Sequence, residues 1–303
     1  MAATTVTFGG QVENHAGMER KGAMEDEGLA LGDLVGARRR FEDAGYACEL
    51  VHLIGAARVE ELEPEPAYVL VVRGGAGAFG PSADELSDEQ DGLEKDTKAF
   101  MRGRVVNKLA RHNLCFTDEG QEPDYEAGKG RIIAFADIPR LAAVREGLPR
   151  FFGGKAAGLL AEGNYYYDVR KCGIGFHGDS ERRIVIALRF GASIPLHYQW
   201  FLRGRPVGLR VALTLNHGDL YAMSEKAAGT DWRRTVVPTL RHAAGARRYL
   251  TIEGHPPVFA PTPDPTPAVP AKFEDASEAD PEDASEADLE AAFADLEAAF
   301  YGR

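Results

Sequence analysis

Gly175-Phe176-His177-Gly178-Asp179-Ser180-Glu181 is the segment on which the reading of this chain turns. An imidazole and a carboxylate two residues apart on an extended segment point to the same side, because strand side chains repeat with a period of two. His177 and Asp179 can therefore grip one metal ion together. Glu181, two residues further, shares their face if the strand continues.

Apolar runs of strand length follow at 184–188, 196–201, 209–215 and 220–223, punctuated by glycine and proline. That pattern reads as sheet rather than helix. A facial two-histidine, one-carboxylate triad, the arrangement of non-heme Fe(II) sites, needs one more ligand. His242, in Pro238-Thr239-Leu240-Arg241-His242-Ala243-Ala244-Gly245, is the better candidate, and His217, which also follows a strand run, is its rival. The expectation is a small barrel carrying the metal at one mouth.

Several stretches taken together resemble the AlkB-like Fe(II)/2-oxoglutarate-dependent dioxygenases, in wording the branch found in large DNA viruses and protists. They are YYYDV at 165–169, GIGFHGDSERR at 173–183, PLHYQWF at 195–201, NHGDLYAMSEKAAGTDW at 216–232 and PTLRHAAG at 238–245. The resemblance covers the middle of the chain through Ile252. It implies a mixed α/β fold with a mainly β core, a double-stranded β-helix (jelly-roll) with flanking N-terminal helices and strands. It implies Fe(II) on His177, Asp179 and His242, favouring His242 over His217. It further implies 2-oxoglutarate as cosubstrate, oxidised to succinate while hydrogen is removed from a methyl group on a nucleic-acid base, a demethylation of the kind used in DNA repair.

The same resemblance assigns further residues. Arg247 and Arg248, ahead of Leu250-Thr251-Ile252, stand where the family carries the arginine that holds the distal carboxylate of 2-oxoglutarate. Their separation from His242 is shorter than usual in the family, and Glu253 replaces its second arginine. Tyr167, ten residues before His177, matches a tyrosine that reaches the cosubstrate, and Tyr165 sits where the family has an asparagine. Glu181 matches an acid that meets the exocyclic amine of the target base, with an ordinary salt bridge to Arg182 or Arg183 as the alternative. Trp200, Tyr198 and Trp232 either stack on a base or fill the core.

The net charge of −12 is uneven: residues 259–303 carry 12 acidic side chains against Lys272 and Arg303, which leaves about −2 for residues 1–258. A near-neutral folded part leaves phosphate contact to local basic patches. The densest lies at 94–116, where Lys95, Lys98, Arg102, Arg104, Lys108, Arg111 and His112 interleave with apolar residues. It reads as an amphipathic element facing phosphate, with Arg104, Lys108 and Arg111 as substrate contacts, or else as a solvated charged face. Three widely spaced cysteines, Cys48, Cys115 and Cys172, argue against a disulfide framework. No apolar window approaches membrane-spanning length and the first ten residues resemble no leader, so the expected location is cytoplasmic or nuclear, with no membrane partner.

Residues 1–100 read as an N-terminal α/β layer packed on a catalytic core at 101–255. In the layer, strands are expected at 5–8, 48–54 and 68–73, a helix at 31–44, and a loop at 74–93. The glycine run at 74–80 lacks the spacing of a phosphate loop. Within 101–255, a strand is expected at 131–135 and a helix at 138–160. Residues 256–288, proline-rich and then repeating EDASEAD, read as a disordered acidic linker. Residues 289–303 place Leu289, Phe293, Leu296 and Phe300 on one stripe of a short amphipathic helix suited to a protein partner. Two other function classes fit the sequence: a protein hydroxylase on the same scaffold, and a catalytically silent nucleic-acid or partner-binding module.

Overall fold

The computed structural model describes residues 1–260, so the linker beyond Ala260, the tail helix and its partner site lie outside the described residues, while the first linker residues are ordered against the backbone of Arg210, which donates to the Val258 carbonyl at 2.7 Å and accepts from the Ala260 amide at 2.8 Å. The chain opens with β1 (Ala3–Gly9), β2 (Gln11–Glu13), β3 (Arg20–Gly22), α1 (Leu31–Asp43), β4 (Cys48–His52), α2 (Leu53–Ala57), β5 (Tyr68–Val72) and α3 (Ala83–Asp91). It continues through β6 (Lys98–Met101), β7 (Arg104–Asn107), β8 (His112–Thr117), β9 (Ile132–Ala134), α4 (Pro139–Phe152) and β10 (Leu160–Tyr166). The last part comprises β11 (Gly173–His177), β12 (Val185–Gly191), β13 (Ile194–Leu202), β14 (Arg205–Leu215), β15 (Leu220–Met223), α5 (Glu225–Ala228), β16 (Thr239–Gly245) and α6 (Arg247–Leu250).

The fold is mixed α/β and dominated by strands. An eight-stranded sheet runs β4-β5-β15-β12-β1-β10-β8-β9, and a four-stranded sheet runs β11-β16-β13-β14. From β10 onward the chain alternates between them, visiting the large sheet at β10, β12 and β15 and the small one at β11, β13–β14 and β16. The sheets pack face to face through one apolar cluster that joins Val69, Val71, Val185 and Tyr221 of the large sheet to Leu196, Trp200, Val211 and Leu240 of the small one. Helix α1 covers β4 and β5 from the far side and α4 packs against α1, with Phe41 stacked on Phe151 at 3.9 Å between ring centres.

Three sequence expectations change. Residues 1–100 form no separate layer, because β1, β4 and β5 are members of the large sheet. β1 pairs antiparallel with both β10 and β12, so residues Ala3 to Phe8 are paired on both sides. The expected loop at 74–93 contains α3, whose start is fixed by a capping box in which Ser82 Oγ accepts from the Glu85 amide while Glu85 accepts from the Ser82 amide. The basic stretch at 94–116 is the β6–β7 hairpin followed by β8, not a single amphipathic element.

Candidate metal centre

β11 and β16 lie antiparallel, and His177 sits directly opposite His242 in their register. Residues opposed across such a pair are the closest neighbours a sheet offers, which is how two histidines 65 positions apart meet. Strand β11 ends at His177, and Asp179 is held just beyond it by its own amide, which donates to the Ala228 carbonyl at 2.9 Å. The loop between them needs glycine: a Cβ on Gly178 would lie 2.0 Å from the Gly229 carbonyl oxygen. Oδ1 of Asp179 is 3.5 Å from Nε2 of His177 and 3.5 Å from Nε2 of His242. The three ligand atoms lie within 4.8 Å of one another, so this group could hold a metal ion.

The donor chemistry fits one. His177 Nδ1 lies 2.8 Å from the Gly175 carbonyl, which places its proton there and turns the Nε2 lone pair toward Asp179 and His242. Burial, reinforced by neighbouring His242, holds the His177 imidazole down to about 3, so it is neutral and ready to ligate. Burial alone would raise the Asp179 carboxyl, but His242 and Arg182 outweigh it and hold it below the ordinary carboxylate range. Arg182 is itself buried and also faces Glu162 at 2.6 Å and Glu181 at 3.0 Å. The other ring nitrogen of His242, Nδ1, has no hydrogen-bond partner.

The triad opens on a cavity of about 500 Å³ between the two sheets. Its far wall is one face of the large sheet. β1 contributes Thr5 and Thr7, β10 contributes Glu162, Asn164 and Tyr166, and β12 contributes Val185 and Arg189. These residues share a face because Thr5 is in register with both Asn164 and Arg189, and strand side chains alternate.

No family model matches the chain. It is 48% identical over 247 residues to the uncharacterized protein R156 of Acanthamoeba polyphaga mimivirus, an alignment that covers 81% of this chain and 96% of the viral one. The chain belongs to the R156 family. Because R156 is uncharacterized, that membership carries no chemistry, and the site itself must supply it.

In this R156 relative the other sequence-predicted residues divide. Glu181 and Arg111 line the cavity. Glu181 is paired with Arg182, yet burial pushes its carboxyl up. Arg111 Nε donates to Asn164 Oδ1. Tyr165 and Tyr167 do not reach the cavity, a correction with a simple cause: shifting one residue along a strand exchanges its two faces. Asn164 and Tyr166 face the cavity, whereas the Tyr165 hydroxyl donates to Gln90 at 2.7 Å and exposed Tyr167 stacks on His112 and donates to the Leu109 carbonyl.

Arg247 and Arg248 are also corrected. After β16 the chain turns into α6, where Arg248 donates to the Lys171 carbonyl and the Tyr249 hydroxyl, and neither arginine lines the cavity. The slot in the large sheet between β12 and β10 is taken by β1, so no strand can follow β16 into it. Lys108 is buried, its ammonium donating to the Asn14 carbonyl at 2.9 Å and pushed down to about 8 by burial, so it is withdrawn from phosphate. Arg104 stands exposed on the β6–β7 hairpin, outside the cavity wall. His217 is far from the triad in its contacts, accepting from the Gly191 amide and pairing with Asp84. Trp200 and Tyr198 are core residues, while Trp232 lines the cavity.

Sequence reasoning missed Arg189, Tyr166, Asn164 and Thr5. The signal was present for Arg189, an arginine two residues beyond Ala187 and four beyond Val185, hence on the inward face of an otherwise apolar strand.

Proposed function

We propose that the chain is an Fe(II)- and 2-oxoglutarate-dependent dioxygenase of the AlkB type, built on a double-stranded β-helix and oxidising alkyl groups on nucleic-acid bases. The observation that carries the reading is the meeting of His177, Asp179 and His242 at one cavity, two nitrogens and one oxygen gathered from a paired strand end and its loop. Two histidines and one carboxylate on one face are the donor set of non-heme Fe(II) oxygenases. The jelly-roll reading is supported by the alternation of β10 to β16 between facing sheets, with β1 occupying the eighth position.

Fe(II) held there with 2-oxoglutarate and dioxygen would supply oxidation of a substrate C–H bond, the keto acid leaving as succinate and carbon dioxide. The chain's own residues prepare the place. His177 offers a neutral Nε2, and Arg182 keeps Asp179 ionised and oriented. Val185, Leu196 and Met223 give the cavity an apolar side that excludes water from one flank. Glu181, Arg111 and Trp232 offer an acceptor, a donor and an aromatic face to a base. Nucleic acid as substrate is supported by Arg20, Arg111 and Arg233 along the cavity and by exposed Arg102 and Arg104 on the β6–β7 hairpin.

The test is succinate formation by the full chain with Fe(II), followed by mass spectrometry of nucleosides from methylated DNA and RNA. His177→Ala and Asp179→Ala are expected to abolish both. Oligonucleotide binding should weaken steeply with salt. A native protein that binds Fe(II) yet turns over no 2-oxoglutarate would sink the proposal.

A further inference from the structure

Four arginines are buried among the described residues, Arg38, Arg182, Arg189 and Arg210, and three of them are accounted for. Arg38 pairs with Glu42 at 2.7 Å. Arg182 faces Glu162, Asp179 and Glu181. Arg210 donates to the Leu250 carbonyl at 2.8 Å and lies over the Phe176 ring. Arg189 differs: it is 1% exposed, and its Nε and Nη1 have no hydrogen-bond partner. None of the carboxylates among the described residues forms a salt bridge with it; its guanidinium carbon lies 6.0 Å from the Tyr166 ring centre, and Tyr221 is a second uncharged neighbour. A buried cation without a counter-ion is strongly disfavoured unless something pairs with it.

The position of this cation says what that something is. Arg189 lines the same cavity as the metal triad. Thr5, directly across the β1–β12 register, lines it too, and its buried hydroxyl is likewise unpartnered. A planar guanidinium with a hydroxyl beside it is suited to a carboxylate, which takes parallel N–H donors and one more hydrogen bond. We infer that Arg189 and Thr5 form the anchor for the distal carboxylate of the keto-acid cosubstrate. The inference rests on the dioxygenase reading above and moves the anchor from the end of the chain to β12 and the N-terminal strand β1. The strand that fills the slot which α6 leaves vacant thus also supplies part of the ligand site.

The experiment is calorimetric titration of the full chain loaded with redox-silent Mn(II). The probes are 2-oxoglutarate and 2-oxopentanoate, in which a methyl group replaces the distal carboxylate. Native protein is expected to prefer 2-oxoglutarate by roughly 100-fold, the usual scale for removing one partner of a buried charge pair. Arg189→Met should bind both keto acids alike at unchanged Mn(II) affinity, and Thr5→Val should lose roughly 5-fold for 2-oxoglutarate alone. Arg247→Ala with Arg248→Ala should behave as native. Without ligand, Arg189→Met should resist urea better than native, since it removes a buried unpaired charge.

Retained preference in Arg189→Met overturns the anchor and leaves the dioxygenase reading standing. Native protein that binds Mn(II) but neither keto acid removes both. Should Arg189→Met fail to fold, the native ligand pair and Thr5→Val decide: equal affinity of native protein for the two keto acids, or an unchanged Thr5→Val, overturns the inference.

Discussion

Around Trp200 the gap between the two sheets is closed by Val69, Val71, Leu196, Val211 and Leu240, whereas around His177 the same sheets enclose a cavity lined by Thr5, Asn164, Asp179 and Arg189. Both regions are built from alternating strand side chains, and β12 and β13 run through both. In the first region, burial of apolar surface drives closure, and the lone polar atom of Trp200, its Nε1, donates to the Leu53 carbonyl at 3.1 Å. In the second, charged and polar side chains are buried with bonds left over, on Arg189, Thr5 and His242. One region stabilises the fold, and the other keeps polar atoms that no protein group satisfies. Sites of that kind cost stability that the packed region must offset.

The comparison can be broken by experiment. Trp200→Ala should cost about 3–5 kcal/mol in urea denaturation, the range for a large buried aromatic, while leaving Mn(II) affinity per folded molecule unchanged. Arg182→Met leaves Glu162, Asp179 and Glu181 without their shared cation; it should cost about 3 kcal/mol and, unlike the tryptophan change, weaken metal binding 10- to 100-fold. If the two variants lose metal equally, the regions are not separable. Loading the native chain with Mn(II) and 2-oxoglutarate at about 100 times the dissociation constant should add about 2.7 kcal/mol, measured as a shift in the urea midpoint.

Acid should act at the cavity and at two histidines outside both regions. Burial lowers His52, His177 and His197 from 6.5 to about 4, about 3 and about 4. Between those values and 6.5 the unfolded chain binds protons that the folded chain refuses, so stability falls as pH drops from about 6.5 toward 4. Asp179, held low, extends the loss further down. Urea midpoints across that range check the sign, and a bound divalent ion should steepen the His177 part. The smallest effect belongs to Tyr167→Phe, within about 0.5 kcal/mol and without change in keto-acid affinity, because that exposed ring lies outside both regions.

Much of the half that carries the candidate metal centre is legible in the sequence. The HGD motif marks His177 and Asp179 as neighbours, although only His177 lies on a strand and Asp179 is held in the loop after it, and the strand-like runs after it are the strands β12 to β15. What misled was register and partner choice. In Tyr165-Tyr166-Tyr167 composition is identical at each step, so nothing local says which ring faces in. The α3 cap was readable as Ser82 and Glu85 three apart, but the surrounding glycine, serine and acid content hid it.

By itself, then, the sequence determined which residue types lie on alternating faces and which short motif offers ligands, since these depend on neighbours two or four positions apart. Only the tertiary structure decided that His242 rather than His217 stands opposite His177, and that β1 takes the place between β12 and β10. Strand pairing is a contest between segments far apart in the chain, settled by which edges find partners and which faces find a core. The same contest left Arg247 and Arg248 outside the cavity and Arg189 inside it.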